Sequence, residues 1–158
     1  MSVQGNPETE AEQDARDLAD CRASSVINVA AGAAAFCGVG CFMLALQLLM
    51  ISSRTFIANA ALATEGALGA AFVVVAVWLL KVRVAPTVLC AALSFFSAVM
   101  ILGWSLFAMT RGLFTVLGFA VPGLCMITGL LSLLSIAPAH RAVSARNRLR
   151  ERGVSLGL

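Results

Sequence analysis

Charged side chains are missing from four stretches of this chain, 23–53, 66–80, 84–110 and 112–139, which are divided by single arginines or short basic turns. Three of these stretches exceed the ~20 apolar residues that cross a hydrocarbon core, and the one at 66–80 reaches that length only by taking in Glu65. An ionic group in hydrocarbon is costly, so the spacing of charges predicts how often the chain threads a bilayer. The expectation is an all-α membrane protein of four transmembrane helices, in an up-down-up-down antiparallel bundle with short loops. Composition bears on the same point: 60% of residues are hydrophobic and 12% charged, too little polar surface to cover a soluble core of this size.

The predicted helices cover 25–51, 56–80, 87–109 and 113–137. They form a membrane domain at 23–139, flanked by an acidic tail at 1–22 and a basic tail at 140–158. The first stretch is too long for a signal peptide and follows an acidic rather than a basic segment, so it is expected to be retained, with the mature chain beginning at Met1 or Ser2. In the acidic tail, Asn6-Pro7-Glu8 resembles a helix start, but the apolar positions that follow are too few for more than a frayed helix. Pro86 is expected in the turn between the second and third helices, and Pro122 followed by Gly123 is expected to kink the fourth.

Orientation follows from the basic residues. Four crossings place Arg16, Arg22, Lys81, Arg83, Arg141, Arg146, Arg148, Arg150 and Arg152 on one side, and only Arg54 and Arg111 on the other. The positive-inside rule then predicts cytoplasmic termini. Arg141, Arg146, Arg148, Arg150 and Arg152 are read as contacts to anionic lipid headgroups, because their scatter around a helical wheel does not make a flat interfacial helix. Specific nucleic-acid binding is not expected of five arginines without further pattern.

Helices in lipid associate through close packing of small residues. Ala30, Ala34 and Gly38 in the first helix, Ala63, Ala67 and Ala71 in the second, and Gly118 and Gly129 in the fourth are the predicted packing positions. Cys37, Cys41, Cys90 and Cys125 are read as small packing residues too, since the one histidine, His140, lies beyond the last span and no metal-ligand spacing appears.

Glu65 is the only acid inside a predicted span. Two readings follow. One is a carboxylate paired with Arg54 or Arg111, or hydrogen-bonded to Thr64 or Asn59. The other is a proton or cation site. No acid–base pair, nucleotide loop or deep histidine is present, so no enzyme and no cofactor are predicted. The functional expectation is a non-catalytic accessory, scaffold or assembly subunit held in the lipid bilayer with a membrane-protein partner or as a homo-oligomer. The alternative is a small proton-coupled transporter or pore using Glu65.

Overall fold

A computed structural model describes residues 7–22, 25–50, 56–81, 84–110 and 116–153. They form α1 (Pro7–Arg22), α2 (Ser25–Met50), α3 (Phe56–Leu79), α4 (Val84–Thr110) and α5 (Leu117–Glu151), with no strand among the described residues. Four helices are long and apolar enough to cross a membrane, an architecture compatible with a multi-pass membrane protein.

The buried positions of each long helix alternate at steps of three and four. In α2 they are Ile27, Ala30, Ala34, Cys37, Cys41 and Leu44; in α3, Ala61, Glu65, Leu68, Phe72, Val75 and Leu79; in α4, Thr87, Cys90, Ser94, Ser97 and Ile101. A mean step of 3.5 residues keeps each seam facing its neighbour when helices cross at a shallow left-handed angle. The interior is built mostly from Ala, Cys, Ser, Thr and Gly, while Phe36, Phe96, Val99 and Leu134 face outward. Small inside and bulky outside reverses the soluble pattern and suits hydrocarbon as solvent.

Around the ring, α2 packs on α3 and α5, and α4 packs on α5. The α3–α4 side is the loosest, and α2 barely touches α4 across the middle. At the α2–α3 crossing the two backbones meet: a Cβ built on Gly38 would lie 3.1 Å from the carbonyl oxygen of Gly69, and one on Gly69 would lie 3.1 Å from that of Gly38. A third close fit sits between α4 and α5, where the Phe95 ring fills the space a side chain at Gly129 would need. Gly38 also meets Val73, and Gly69 meets Phe42, so residue numbers rise along α2 as they fall along α3. Together with Ser105 on Gly118 and Cys37 on Thr128, these pairs bring Met50, Phe56, Thr110 and Leu117 to one end, called here the loop end.

Two prolines behave differently from the sequence expectation. α4 starts at Val84 rather than Thr87, with Pro86 inside its first turn, where no intrahelical N–H partner is required. α5 does not stop at 137 but runs through Pro138 to Glu151. Its continuation is held by the docking of α1, which supplies the contacts that an isolated tail lacks. α1 itself lies packed on α5 rather than frayed alone. Pro122 removes the N–H that would bond the Gly118 carbonyl four residues earlier, and the hydroxyl of Ser105 donates to that carbonyl at 2.7 Å instead.

Phe72 is the largest fully buried side chain of the seams and belongs to the central apolar cluster. Phe72→Ala is expected to destabilise the bundle by about 3–5 kcal/mol, read from unfolding in a graded denaturing-detergent titration.

Candidate functional site

Polar groups in the bundle fall into three sets. The first lies on the α2–α4–α5 side, where the thiol of Cys37 and the hydroxyl of Thr128 are 3.1 Å apart and Cys41, Cys90 and Cys125 are buried as free thiols. Most hydroxyls of the seams are spent locally. Thr128 donates to Leu124, Ser97 to Leu93 and Ser135 to Leu131, each a carbonyl four residues earlier. No group of three or more His, Cys, Asp and Glu side chains able to hold a metal ion occurs among the described residues.

The second set surrounds Glu65. The α3 seam turns this side chain inward, leaving it 4% exposed, and its Oε2 has no hydrogen-bond partner among the described residues. Of the partners named from sequence, neither Thr64 nor Asn59 supplies one. Thr64 donates its hydroxyl to Ala60 at 2.8 Å, and Asn59 is exposed. Arg54 and Arg111 lie outside the described residues. Gln47 Oε1 on α2 and Trp104 Nε1 on α4 are likewise buried and without a partner. One is an acceptor and the other a donor.

The third set is a clasp between the tails. Asp17 is buried on α1, and Arg148 of α5 approaches it through both Nη2, 2.6 Å from Oδ1, and Nε, 3.3 Å from each carboxylate oxygen. Arg152 reaches Asp17 Oδ2 at 3.4 Å and also bonds Asp14. The pairs 17 with 148 and 14 with 152 show α1 lying antiparallel to the end of α5. Ala142, Ala145 and Leu149 continue the buried seam of α5 beneath this contact. The hydrogen bond from Arg148 holds the Asp17 carboxyl below its usual range, against the opposing effect of burial and with help from the charges of Arg148 and Arg152.

Of the small residues predicted to pack, Ala30, Ala34, Gly38, Gly118 and Gly129 are buried. Ala63 and Ala67 are exposed and Ala71 is only partly covered, so this stripe is not a helix contact within the chain. Leu68 and Phe72 fill the centre instead, which turns the alanine stripe outward. Pro122 is buried. Of the tail arginines, Arg148 and Arg152 engage α1, Arg141 and Arg150 are exposed and Arg146 is half-buried. The clasp escaped the reading from sequence because helical-wheel analysis of one tail alone cannot show a partner in the other. Its signal was Asp14 and Asp17, one turn apart, against Arg148 and Arg152, also one turn apart.

Comparison with protein-family models, with curated proteins and with solved structures finds no match to this chain.

Proposed function

We propose that this chain is a non-catalytic multi-pass membrane protein that acts as an assembly subunit, packing the loop-end half of α3 against a transmembrane helix of another polypeptide. In the proposed topology the four long helices cross up-down-up-down with both termini cytoplasmic. The opposed numbering of the α2–α3 and α2–α5 contact pairs and the arginine distribution support it. Arg141, Arg146 and Arg150 are then left to meet anionic lipid headgroups.

One observation carries the assembly reading. The outward faces of α2, α4 and α5 bear bulky side chains along their length, among them Phe36, Leu46, Phe96, Leu102, Ile127 and Leu134. Among the described side chains of α3 the exposed bulky ones are Phe56 at one end and Val73, Val74, Val77 and Trp78 toward the other. Between them the outward residues are Asn59, Ala63, Ala67 and Ala70, with Gly66 opening onto empty space. Small side chains let a second helix backbone approach closely, and Asn59 can hydrogen-bond across such a contact.

Gly66→Leu combined with Ala67→Leu tests this reading by native electrophoresis and mass measurement in mild detergent. The wild-type chain is expected in a particle larger than the 16.4 kDa monomer, and the double variant as the monomer, with Val74→Leu unchanged as control. A monomeric wild type in native membranes, or a double variant that stays in the larger particle, overturns the reading.

A further inference from the structure

Glu65 is the one carboxyl among the buried groups of the seams that lack a hydrogen-bond partner among the described residues; the hydroxyls of Ser94 and Ser132 share that lack but carry no charge. Thr128, Ser97 and Ser135 each bond a carbonyl of their own helix, and Ser105 bonds the carbonyl freed by Pro122. Glu65 has nine-tenths and more of its surface buried and an oxygen with no partner among the described residues. A carboxylate in that position requires a cation or a proton.

The helices packed against α3 are α2 and α4, and neither contains Asp, Glu, Lys, Arg or His. Their titratable groups are the thiols of Cys37 and Cys41 on α2 and of Cys90 on α4. Holding a metal cation takes several oxygen ligands converging on one point, and no anionic group joins Glu65 among the described residues. A proton is the cation that a single carboxyl can hold.

Of the four other unpartnered groups, Gln47 Oε1, Trp104 Nε1, Ser94 Oγ and Ser132 Oγ, the first two indicate how a proton would reach it from the loop end. At ~1.5 Å per residue, Glu65 lies about 6 Å beyond the Gly38–Gly69 crossing toward the loop end, and Gln47 lies about 14 Å beyond it. Counting instead from the turn between α3 and α4, Glu65 is about 21 Å away and Trp104 about 30 Å. Both Gln47 and Trp104 therefore sit between Glu65 and the loop end, at one level on α2 and α4, the two helices that flank α3. A buried acceptor and a buried donor left open at one level are sites for bound water. In the other direction the α3 seam continues as Leu68, Phe72, Val75 and Leu79, which are apolar and buried.

We propose that Glu65 is a reversible proton-binding site whose carboxyl is un-ionised at rest and exchanges its proton with the loop end through water held at Gln47 and Trp104. On release the carboxyl O–H bond breaks, a water molecule takes the proton and the carboxylate keeps the electron pair. This proposal is independent of the outward face of α3.

Infrared spectroscopy of the full-length chain in lipid vesicles, with glutamate carbon-13 labelled at the side-chain carboxyl, tests it. The wild type is expected to show the carbonyl stretch of an un-ionised glutamic acid at neutral pH, where an exposed Glu, with a pKa of about 4.3, is ionised. Glu65→Gln is expected to abolish the band. Transfer to heavy water is expected to shift the band as the proton exchanges, and Gln47→Leu with Trp104→Phe to slow that shift by about tenfold, a barrier change of ~1.4 kcal/mol. A spectrum of carboxylate alone, as pairing with Arg54 or Arg111 would produce, overturns the site, and so does a band that survives Glu65→Gln. Exchange at the wild-type rate in the double variant overturns the route. Should Glu65→Gln fail to fold, Glu65→Asp keeps a titratable group while removing the labelled band, and its persistence is equally decisive against the proposal.

Discussion

Gly69→Leu is expected to force α2 and α3 apart and to cost the bundle at least about 1–3 kcal/mol, the ordinary range for overpacking a close contact. The reason lies in what a side chain would meet. Its Cβ would stand 3.1 Å from the Gly38 carbonyl oxygen and 3.2 Å from the Phe42 ring. The ring can turn away, but the carbonyl belongs to a helix backbone and can retreat only if the helix moves. Leucine adds three further carbons to a space already closed at the first. Gly38→Leu should behave alike, because its Cβ would meet the Gly69 carbonyl and the Val73 side chain. Gly103→Leu is the control. Nothing lies within 4 Å of a Cβ there, and leucine favours helix over glycine by nearly 1 kcal/mol. Unfolding in graded denaturing detergent should rank Gly69→Leu far below wild type and Gly103→Leu level with it or slightly above. Equal stability of the two variants would contradict the close α2–α3 crossing.

Arg148→Met is expected to release α1 from α5 while leaving the four long helices intact. Methionine keeps much of the stem of arginine and removes the charge, so Asp17 is left buried without its main partner, the arrangement in which removing one member of a pair costs most. α1 has 16 residues and a polar composition, too little to stay helical alone in water. Amide exchange along α1 and the last turns of α5 should therefore rise at least about tenfold, by the linkage of opening to exchange, while exchange in α2 and α4 stays as it was. Asp17→Arg combined with Arg148→Asp should restore part of the protection.

The same clasp is expected to depend on pH. The Asp17 carboxyl titrates lower when docked than when free, so the free form binds more protons in the window between the two values. Docking is then fully favoured above the ordinary carboxylate range near 4 and is lost as pH falls through the depressed value. Added salt should weaken the clasp as well, since Arg148 and Arg152 remain partly exposed. Protection of α1 that is unchanged in Arg148→Met, or that grows on acidification, would rule the clasp out as its cause.

Legibility in the sequence follows the reach of each interaction. The long helices could be located from charge spacing because each stretch records the cost of an ionic group locally. Pro86 misled the expected start of α4 because the same residue suits a turn and a first helical turn equally. Pro138 misled the expected end of α5, because a proline's cost inside a helix can be offset by contacts made elsewhere, here with α1. Small residues were recognisable as packing material, but not the face that would use them. Ala30, Ala34 and Gly38 turned inward, while Ala63 and Ala67 turned outward.

Glu65 shows the boundary most clearly. Composition alone singled it out as an acid within an apolar stretch, since no neighbour has to be known for its charge to be costly there. Whether it met a partner was a matter of three helices converging, and there the seam turned it inward beside α2 and α4, neither of which carries a counter-charge. Burial cost is written residue by residue along a chain. Which faces meet, and which buried groups find each other, depends on side chains far apart in sequence: Asp17 and Arg148 are joined across 131 positions and Cys37 and Thr128 across 91. Such contacts exist only once the helices have packed.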